Sequence, residues 1–454
     1  MAVWSKVLLS QVENRLRIEA EFYRPNYLDV ERVLTKIPFK KLRFLAYKIT
    51  DGTHFTPTYT KKGIRFYSAI NVKEGYFQHE DNFKFISDIE HSTIYKRCPV
   101  EAGDVLLRKV GVGPRWACVV PDGLDEFSIF VSVALIKCKG KINPYFLATF
   151  INSKYGQSQL LRLNKGISQP DLHLEDISEL KVPHFDASSQ DEIAGLVKKG
   201  LQNREKALNL YAQAQQLLEQ ELGLDKLEFE DPIGYEASFS EVTLSNRLDT
   251  QHYLPKYNIL LKQLKKHDWS YLRDIRIYNR RGVQPVYVED GELHVVNSQH
   301  IGREHLDYEN LQRTTKALFA SSPEAHIKPN DLLIYTTGAY IGSTNVYLST
   351  KPALASNHVN ILRLKDGVDA AYMSLVMQSV VGKFQTEKHS RGSAQAELYP
   401  TDIDKFVVPL LAPKKQNAIG DLVRGSLSEL QDSYQLLEKA KCRVEELIEE
   451  AVEK

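Results

Sequence analysis

QDEIAGLVKKGLQNREKALNLYAQAQQLLEQEL, residues Gln190 to Leu222, places Ile193, Val197, Leu201, Leu208, Tyr211, Leu218 and Leu222 at spacings of three, four and seven among Lys, Arg, Glu and Gln. That spacing predicts one long helix with a single narrow apolar seam, as in a coiled coil. A second stretch, Gln416 to Ile448, keeps a similar rhythm through Ile419, Val423, Leu427, Tyr434, Leu437, Val444 and Ile448. Each seam needs a partner, and each helix is the other's nearest candidate.

The two stretches are also copies in register. Gln190 matches Gln416 at an offset of 226, and Leu201 matches Leu427 and Leu222 matches Ile448 at the same offset. Going backwards, Lys165-Gly166-Ile167-Ser168-Gln169 meets Arg391-Gly392-Ser393-Ala394-Gln395, and Val182-Pro183 meets Val408-Pro409. With a drift of a few residues, Gly103-Asp104-Val105-Leu106-Leu107 meets Asn330-Asp331-Leu332-Leu333-Ile334, and Asn14-Arg15-Leu16 meets Asn246-Arg247-Leu248. The chain reads as one unit written twice.

With 454 residues, 43% of them hydrophobic and 26% charged, the chain can bury two or more cores, which excludes a disordered or fibrous class. No apolar run reaches the length of a signal peptide or a membrane span, so a soluble cytoplasmic protein with no membrane partner is expected. Cys98, Cys118, Cys138 and Cys442 show no C-x-x-C spacing, which argues against a disulfide framework or a zinc site. A net charge of +1 neither requires nor excludes nucleic acid, because a basic groove can be balanced by acid elsewhere.

In chain order, a first segment with a helix leads through Phe22-Tyr23-Arg24-Pro25 to short β-rich runs from about 38 to 140, such as Ile64-Arg65-Phe66-Tyr67. Asn143-Pro144-Tyr145 is expected to open a helix running to about Gln159, and Asp171 is expected to be the first-turn acid of a short helix. Residues 225–240 carry Pro232 and Gly234 and read as a linker. The expected division is 1–186, a helix over 187–224, the linker, 241–412, and a helix over 413–454. The fold class is α+β: two pseudo-symmetric mixed α/β domains separated by a pair of long antiparallel coiled-coil helices.

Asp51-Gly52-Thr53-His54-Phe55-Thr56-Pro57 after Lys48-Ile49-Thr50, the Gly103 to Leu107 strand, the Lys165 to Gln169 loop leading to Leu180-Lys181-Val182-Pro183, and the duplicated helix together resemble the specificity subunit of a type I restriction-modification enzyme. The resemblance spans essentially the whole chain. The second copy departs from it at the D-G-x-H-x-x-P loop, reading Asn279-Arg280-Arg281-Gly282-Val283-Gln284-Pro285.

The resemblance implies a non-catalytic reader of a bipartite site in double-stranded DNA. It also implies two target-recognition domains, a helical spacer, two methyltransferase subunits as partners and, in restriction forms, two restriction/translocase subunits. S-adenosylmethionine, ATP and Mg are then expected on the partners only, and this chain carries no cofactor. A helix of about 33 residues would be about 50 Å long at ~1.5 Å per residue, more than one duplex turn of ~34 Å. From another class, a duplicated protein-binding scaffold with a coiled-coil strut is the alternative.

DNA contact needs Lys or Arg for phosphate and Arg, Asn, Gln, Ser or Thr for base edges. The candidates in the first half are Thr53, His54, Thr56, Tyr59, Lys61, Lys62, Ser68, Asn71, Arg108, Lys109, Arg115, Lys165, Ser168 and Gln169. In the second half they are Arg280, Arg281, Gln284, Asn297, Ser298, Gln299, His300, Thr336, Thr337, Tyr340, His389, Arg391, Ser393 and Gln395. Any one of them also reads as a solvated loop residue. Their recurrence at matching points of both copies favours contact.

Catalysis finds little support. Pro170-Asp171 with Glu179-Leu180-Lys181 fits a loose metal-nuclease pattern, but the second copy has Ala396, Glu397, Lys405 and Val407 there. Asp231-Pro232-Ile233-Gly234-Tyr235 resembles an amino-methyltransferase motif without its second Pro, and no Walker loop, H-E-x-x-H or G-x-S-x-G occurs. No catalytic residue and no metal ligand is assigned.

Overall fold

The computed structural model describes residues 4–9, 12, 18–138, 140–165, 170–229, 232–302, 304–392 and 395–453. They form two compact units, residues 1–204 with 431–454, and residues 205–430.

In the first unit a four-stranded antiparallel sheet runs in the order Lys48–Asp51, Val133–Lys137, Val105–Arg108, Ala117–Val119. Val133–Lys137, Val105–Arg108 and Ala117–Val119 are near-continuous apolar runs because both faces are covered. Val105, Leu107, Ala117, Val119, Ala134 and Ile136 pack toward the helices, while Leu106, Cys118, Val133 and Leu135 pack with Tyr67, Phe127 and Ile129 of a smaller sheet. The period-two alternation of a strand sorts the side chains into these two layers. The smaller sheet runs Lys84–Ile86, Ile64–Tyr67, Phe127–Ile129, the last two parallel. A two-stranded ribbon, Phe39–Lys41 with Lys181–Pro183, closes the unit.

The second unit repeats this order: Arg276–Arg281, Val359–Leu364, Asp331–Tyr335, Thr344–Tyr347 in the larger sheet, and the ribbon Trp269–Tyr271 with Val407–Pro409. The smaller sheet, Gln312–Thr314, Leu293–Val296, Ala353–Ala355, gains one strand, His326–Ile327.

The long helices are Ala187–Leu222 and Pro413–Glu453. In the first unit Ile193 and Val197 share a core with Ala440, Val444, Leu447 and Ile448. In the second, Tyr211, Ala214, Leu218 and Leu222 share one with Ile419 and Val423. Within each unit the helix segments therefore run antiparallel. Small residues let them approach: a Cβ on Gly200 would lie 3.3 Å from the Ser433 carbonyl oxygen, and Ser426 Oγ donates to the Ala207 carbonyl at 2.8 Å. The first helix stops at Gly223, whose φ of +63° turns the chain out of the helix.

The 226 offset seen in the sequence returns as matched hydrogen bonds. Gln190 Oε1 accepts from the Asn143 backbone N–H and its Nε2 donates to the Phe185 carbonyl. Gln416 does the same with Asp369 and Leu411. Gln159 brackets the backbone of Lys181, and Gln385 that of Val407.

Two local expectations change. The helix opened by Asn143 ends at Asn152, and a second runs Lys154–Leu163, capped by Ser153. Asp171 lies outside the short helix Leu174–Ser178, whose first-turn acids are Glu175 and Asp176. Among the described residues no helix is long and apolar enough to cross a membrane.

Candidate nucleic-acid interface

In each unit three sequence-distant loops meet at one end of the larger sheet. They are the loop after its first strand (51–57 and 281–285), the hairpin loop (108–116 and 335–343), and the chain ends bridged at Lys165–Asp171 and Arg391–Glu397, called the bridged turn below. Lys165 and Asp171 exchange backbone hydrogen bonds at 3.0 and 2.9 Å, as Arg391 and Glu397 do at 2.9 and 2.7 Å. Gly111 N–H donates to the Pro170 carbonyl and Leu172 N–H to that of Lys109. Gly338 to Ala396 and Leu398 to Thr336 repeat this.

Gly52 and Gly282 are required by close approach, since a Cβ at either would lie 2.0 Å from a backbone oxygen, of Ile129 or Ala355. Strand register equates the residues before them: Asp51 faces Ala134, and Arg281 faces Asn360. Gly111, Gly113, Gly338 and Gly342 all have φ between +88° and +113°, so the hairpin turns themselves call for glycine.

The wiring of the junction differs between units. Lys109 is buried, with Nζ 3.2 Å from Asp51 Oδ2 and 3.3 Å from Asp171 Oδ1. Asp51 also takes Arg97 Nη1 and His54 Nε2, each at 3.2 Å. In the second unit Arg281 Nη2 donates to the Leu398 carbonyl at 3.0 Å, its Nη1 is 4.0 Å from Glu397, and its guanidinium lies over the Tyr399 ring at 4.9 Å. One pairing is common to both: Lys165 with Asp176 at 2.7 Å, and Arg391 with Asp402 at 2.9 Å. Burial pushes the Asp402 carboxyl up, but Lys405 and Arg391 outweigh it and the net shift is down.

Of the sequence candidates, His54, Thr56, Tyr59, Lys61, Lys62, Arg280, Gln284, Gln299, Tyr340, Arg391 and Gln395 are exposed. Thr53, Ser68, Arg108, Lys165, Arg281, Asn297, Ser298 and His389 are half-buried. Tyr59, Lys61 and Lys62 sit apart from the junction, in a segment held to Lys84–Ile86 by the Thr60–Phe85 bridge. Ser168, Gln169 and Ser393 lie outside the described residues.

The other candidates, with half-buried His389, are engaged in the framework, which departs from the expectation of free loop contacts. Arg115 is fully buried, with Nε and Nη2 on Asn164 Oδ1 at 3.1 and 2.8 Å and Nη2 on the Pro170 carbonyl. Burial lowers its pKa to about 10. Asn71 and His300 occupy matching positions at the end of short 3-10 turns, each accepting from the backbone N–H of its capping partner, Ser68 or Asn297. Thr336 and Thr337 are buried, and Lys109 is the ion-paired core of the junction. His389 stacks on Phe406, and burial, then His252 and Lys388, push its imidazole down to about 3, so it brings no charge to a phosphate at neutral pH.

Sequence reasoning missed Arg97, Arg247 and Tyr399. Arg97 reaches Asp51 from the end of helix Asp88–Arg97, and no spacing announces that contact. The loose nuclease pattern is not gathered: Asp171 pairs with Lys109, Glu179 with Lys41 and Arg43, and Lys181 with Glu31. Glu445 and Glu449 of the acidic helix end are taken by Lys154.

No family model matches the chain, and no curated protein matches it. Among solved structures it is similar to the S subunit of a type I restriction-modification system from M. genitalium, with 12% identity, 91% of this chain and 95% of that chain covered, and a TM-score of 0.45. It is similar to the HsdS subunit from Thermoanaerobacter tengcongensis, with 15% identity, 92% and 95% covered, and a TM-score of 0.29. A chain from a structure of type I R-M complex assembly and conformational transition gives 15% identity, 92% and 96% covered, and a TM-score of 0.29.

Proposed function

We propose that this chain is the DNA-specificity subunit of a type I restriction-modification enzyme, each unit reading one half of a bipartite duplex target. The carrying observation is the double framework. Sheet order, strand register and the Gln190/Gln416 and Gln159/Gln385 brackets recur, while the side chains of the three-loop junction differ in sign and type. A protein that binds one ligand twice has no reason to vary that junction while keeping what supports it. A protein that reads two different short sequences does.

In this reading exposed Arg280 and Arg391 with Lys61 and Lys62 supply phosphate contacts, and Thr53, Thr56, Gln284, Gln299 and Gln395 supply base-edge groups. The chain itself catalyses nothing and works in the cytoplasm. Two methyltransferase subunits, and in a restriction form two restriction/translocase subunits, dock on it and carry S-adenosylmethionine, ATP and Mg.

Binding of the purified chain to random-sequence duplex, alone and with its methyltransferase, tests this between about 50 and 200 mM salt. Affinity is expected to fall about 10³-fold or more if six or more phosphates are neutralised. Binding that ignores salt, or no binding in either preparation, would favour the protein-scaffold alternative. Exchange of residues 38–164 for those of a relative is expected to change one half-site in a methylation map and leave the other.

A further inference from the structure

We infer that Arg247, far in sequence from every recognition loop, is the positioning residue that fixes the Arg391–Glu397 bridge of the second unit; the inference rests on the DNA-recognition reading above. Helix Val380–His389 ends where this turn begins. The last carbonyls of a helix have no partner within it, and here they are taken by the segment 247–252. His252 Nδ1 donates to the Lys388 carbonyl at 2.7 Å. Arg247 Nη1 donates to that of His389 at 3.2 Å, and Nη2 to that of Ser390 at 2.8 Å. Three consecutive carbonyls are thus gripped by two side chains, and the next residue is Arg391.

The gripping arm is itself fixed. Asp249 takes Arg247 Nε and Nη2 at 2.7 and 2.6 Å, and the Arg247 carbonyl accepts from Tyr253 Oη at 2.6 Å. A planar fork held on one side by a carboxylate has its remaining donors aimed before any loop arrives, which a flexible ammonium cannot match. Beyond the grip, among the described residues Arg391 is held by its backbone pairing with Glu397 and its ion pair with Asp402. Without Arg247 the turn would keep its internal pairing and lose its fixed base, so Arg391 and Gln395 would be displaced together. The matching Arg15 of the first copy lies outside the described residues.

The test uses the full chain with its methyltransferase, a random duplex library, and sequencing of the retained DNA for the parent, Arg247→Met and Arg247→Lys. The parent is expected to enrich a two-part motif. Arg247→Met is expected to lose about tenfold in discrimination at one part and to stay within about twofold at the other, with Arg247→Lys in between. Equal loss at both parts marks general destabilisation and overturns the inference, as does a motif that Arg247→Met leaves unchanged at both parts. Amide exchange of residues 391–397 is the second readout: faster exchange in Arg247→Met supports the grip, and unchanged protection overturns it even if that variant is too unstable for selection. A parent that enriches no motif sinks the DNA reading instead, and leaves the exchange result to judge the grip.

Discussion

Asp51 and Arg281 stand at one place in two copies of one domain and carry opposite charges. Both precede a glycine pressed against a neighbouring strand, and both tie the first loop to the bridged turn. The first copy makes the tie as carboxylate, buried ammonium, carboxylate, through Lys109. The second makes it directly, guanidinium to the Leu398 carbonyl, and the position matching Lys109 is the buried neutral Thr336. The backbone fixes that a tie exists, and the side chains decide the sign of the surface it presents. On the DNA-recognition reading proposed above, two readers built this way share a scaffold without sharing a ligand.

The largest effect should come from breaking the ammonium link. Lys109→Met leaves Asp51, whose side chain is 3% exposed, with Arg97 as its remaining cation among the described residues, reaching it from an exposed position. Removing one member of a buried pair costs about 3–5 kcal/mol, and urea unfolding at pH 7 should show a loss of that order. A loss under about 1 kcal/mol would mean that the first junction does not depend on its buried charge. Next in size are Gly52→Ala and Gly282→Ala, each forcing a Cβ onto a backbone oxygen 2.0 Å away. Each should cost near the upper end of about 1–3 kcal/mol, and the two should agree, because the backbone is what the copies share. Unequal losses would break the comparison at its base.

That division also explains what could be read in advance. The helices, the repeat and the Gln190–Gln416 match were legible because periodicity and offset are properties of the chain itself. Arg-Gly at 281–282 could not be equated with Asp-Gly at 51–52 by residue type, since only strand register aligns them. Lys109 and Arg115 looked like DNA contacts because a basic hairpin loop is where such contacts collect. Nothing in the sequence says that Asp51 and Asn164 lie within reach. The apolar pattern runs through the break at Ser153, which caps the second helix by accepting from the Gly156 N–H, and a Cβ on Gly156 would lie 2.2 Å from the Phe150 carbonyl oxygen.

A smaller difference is one of acid sensitivity. Asp404 accepts Arg276 Nε and Nη2 at 2.8 Å each, together with Asn279, and these hold its carboxyl below the usual carboxylate range. The first copy has Ser178 at that offset. A depressed folded-state pKa gives stability that is full above the unfolded value of about 3.9 and lost as pH falls through the folded one. The second unit should therefore lose this contribution below about pH 4. Asp404→Asn should be less stable than the parent at pH 7, with the gap closing toward pH 3 in thermal melts. A gap that stayed constant with pH would assign the effect to shape rather than charge.

The smallest effect on stability, and the most direct on the ligand, belongs to Arg280. Successive strand residues face opposite sides of a sheet, so Arg280 and Arg281 do not serve one partner. Arg281 is spent on the Leu398 carbonyl and the Tyr399 ring, while Arg280 is exposed. The first copy has buried Thr50 in the matching register, so this cation is peculiar to the second unit. Arg280→Ala should change unfolding free energy by no more than about 0.5 kcal/mol. It should also weaken DNA binding across all sequences and flatten the salt slope by about one. Arg281→Ala should act differently, costing stability and discrimination together, because it unties the loops. If Arg280→Ala instead changed which bases are preferred and left the salt slope alone, Arg280 would be a base reader, and the split between a tying arginine and a phosphate arginine would have to be reversed.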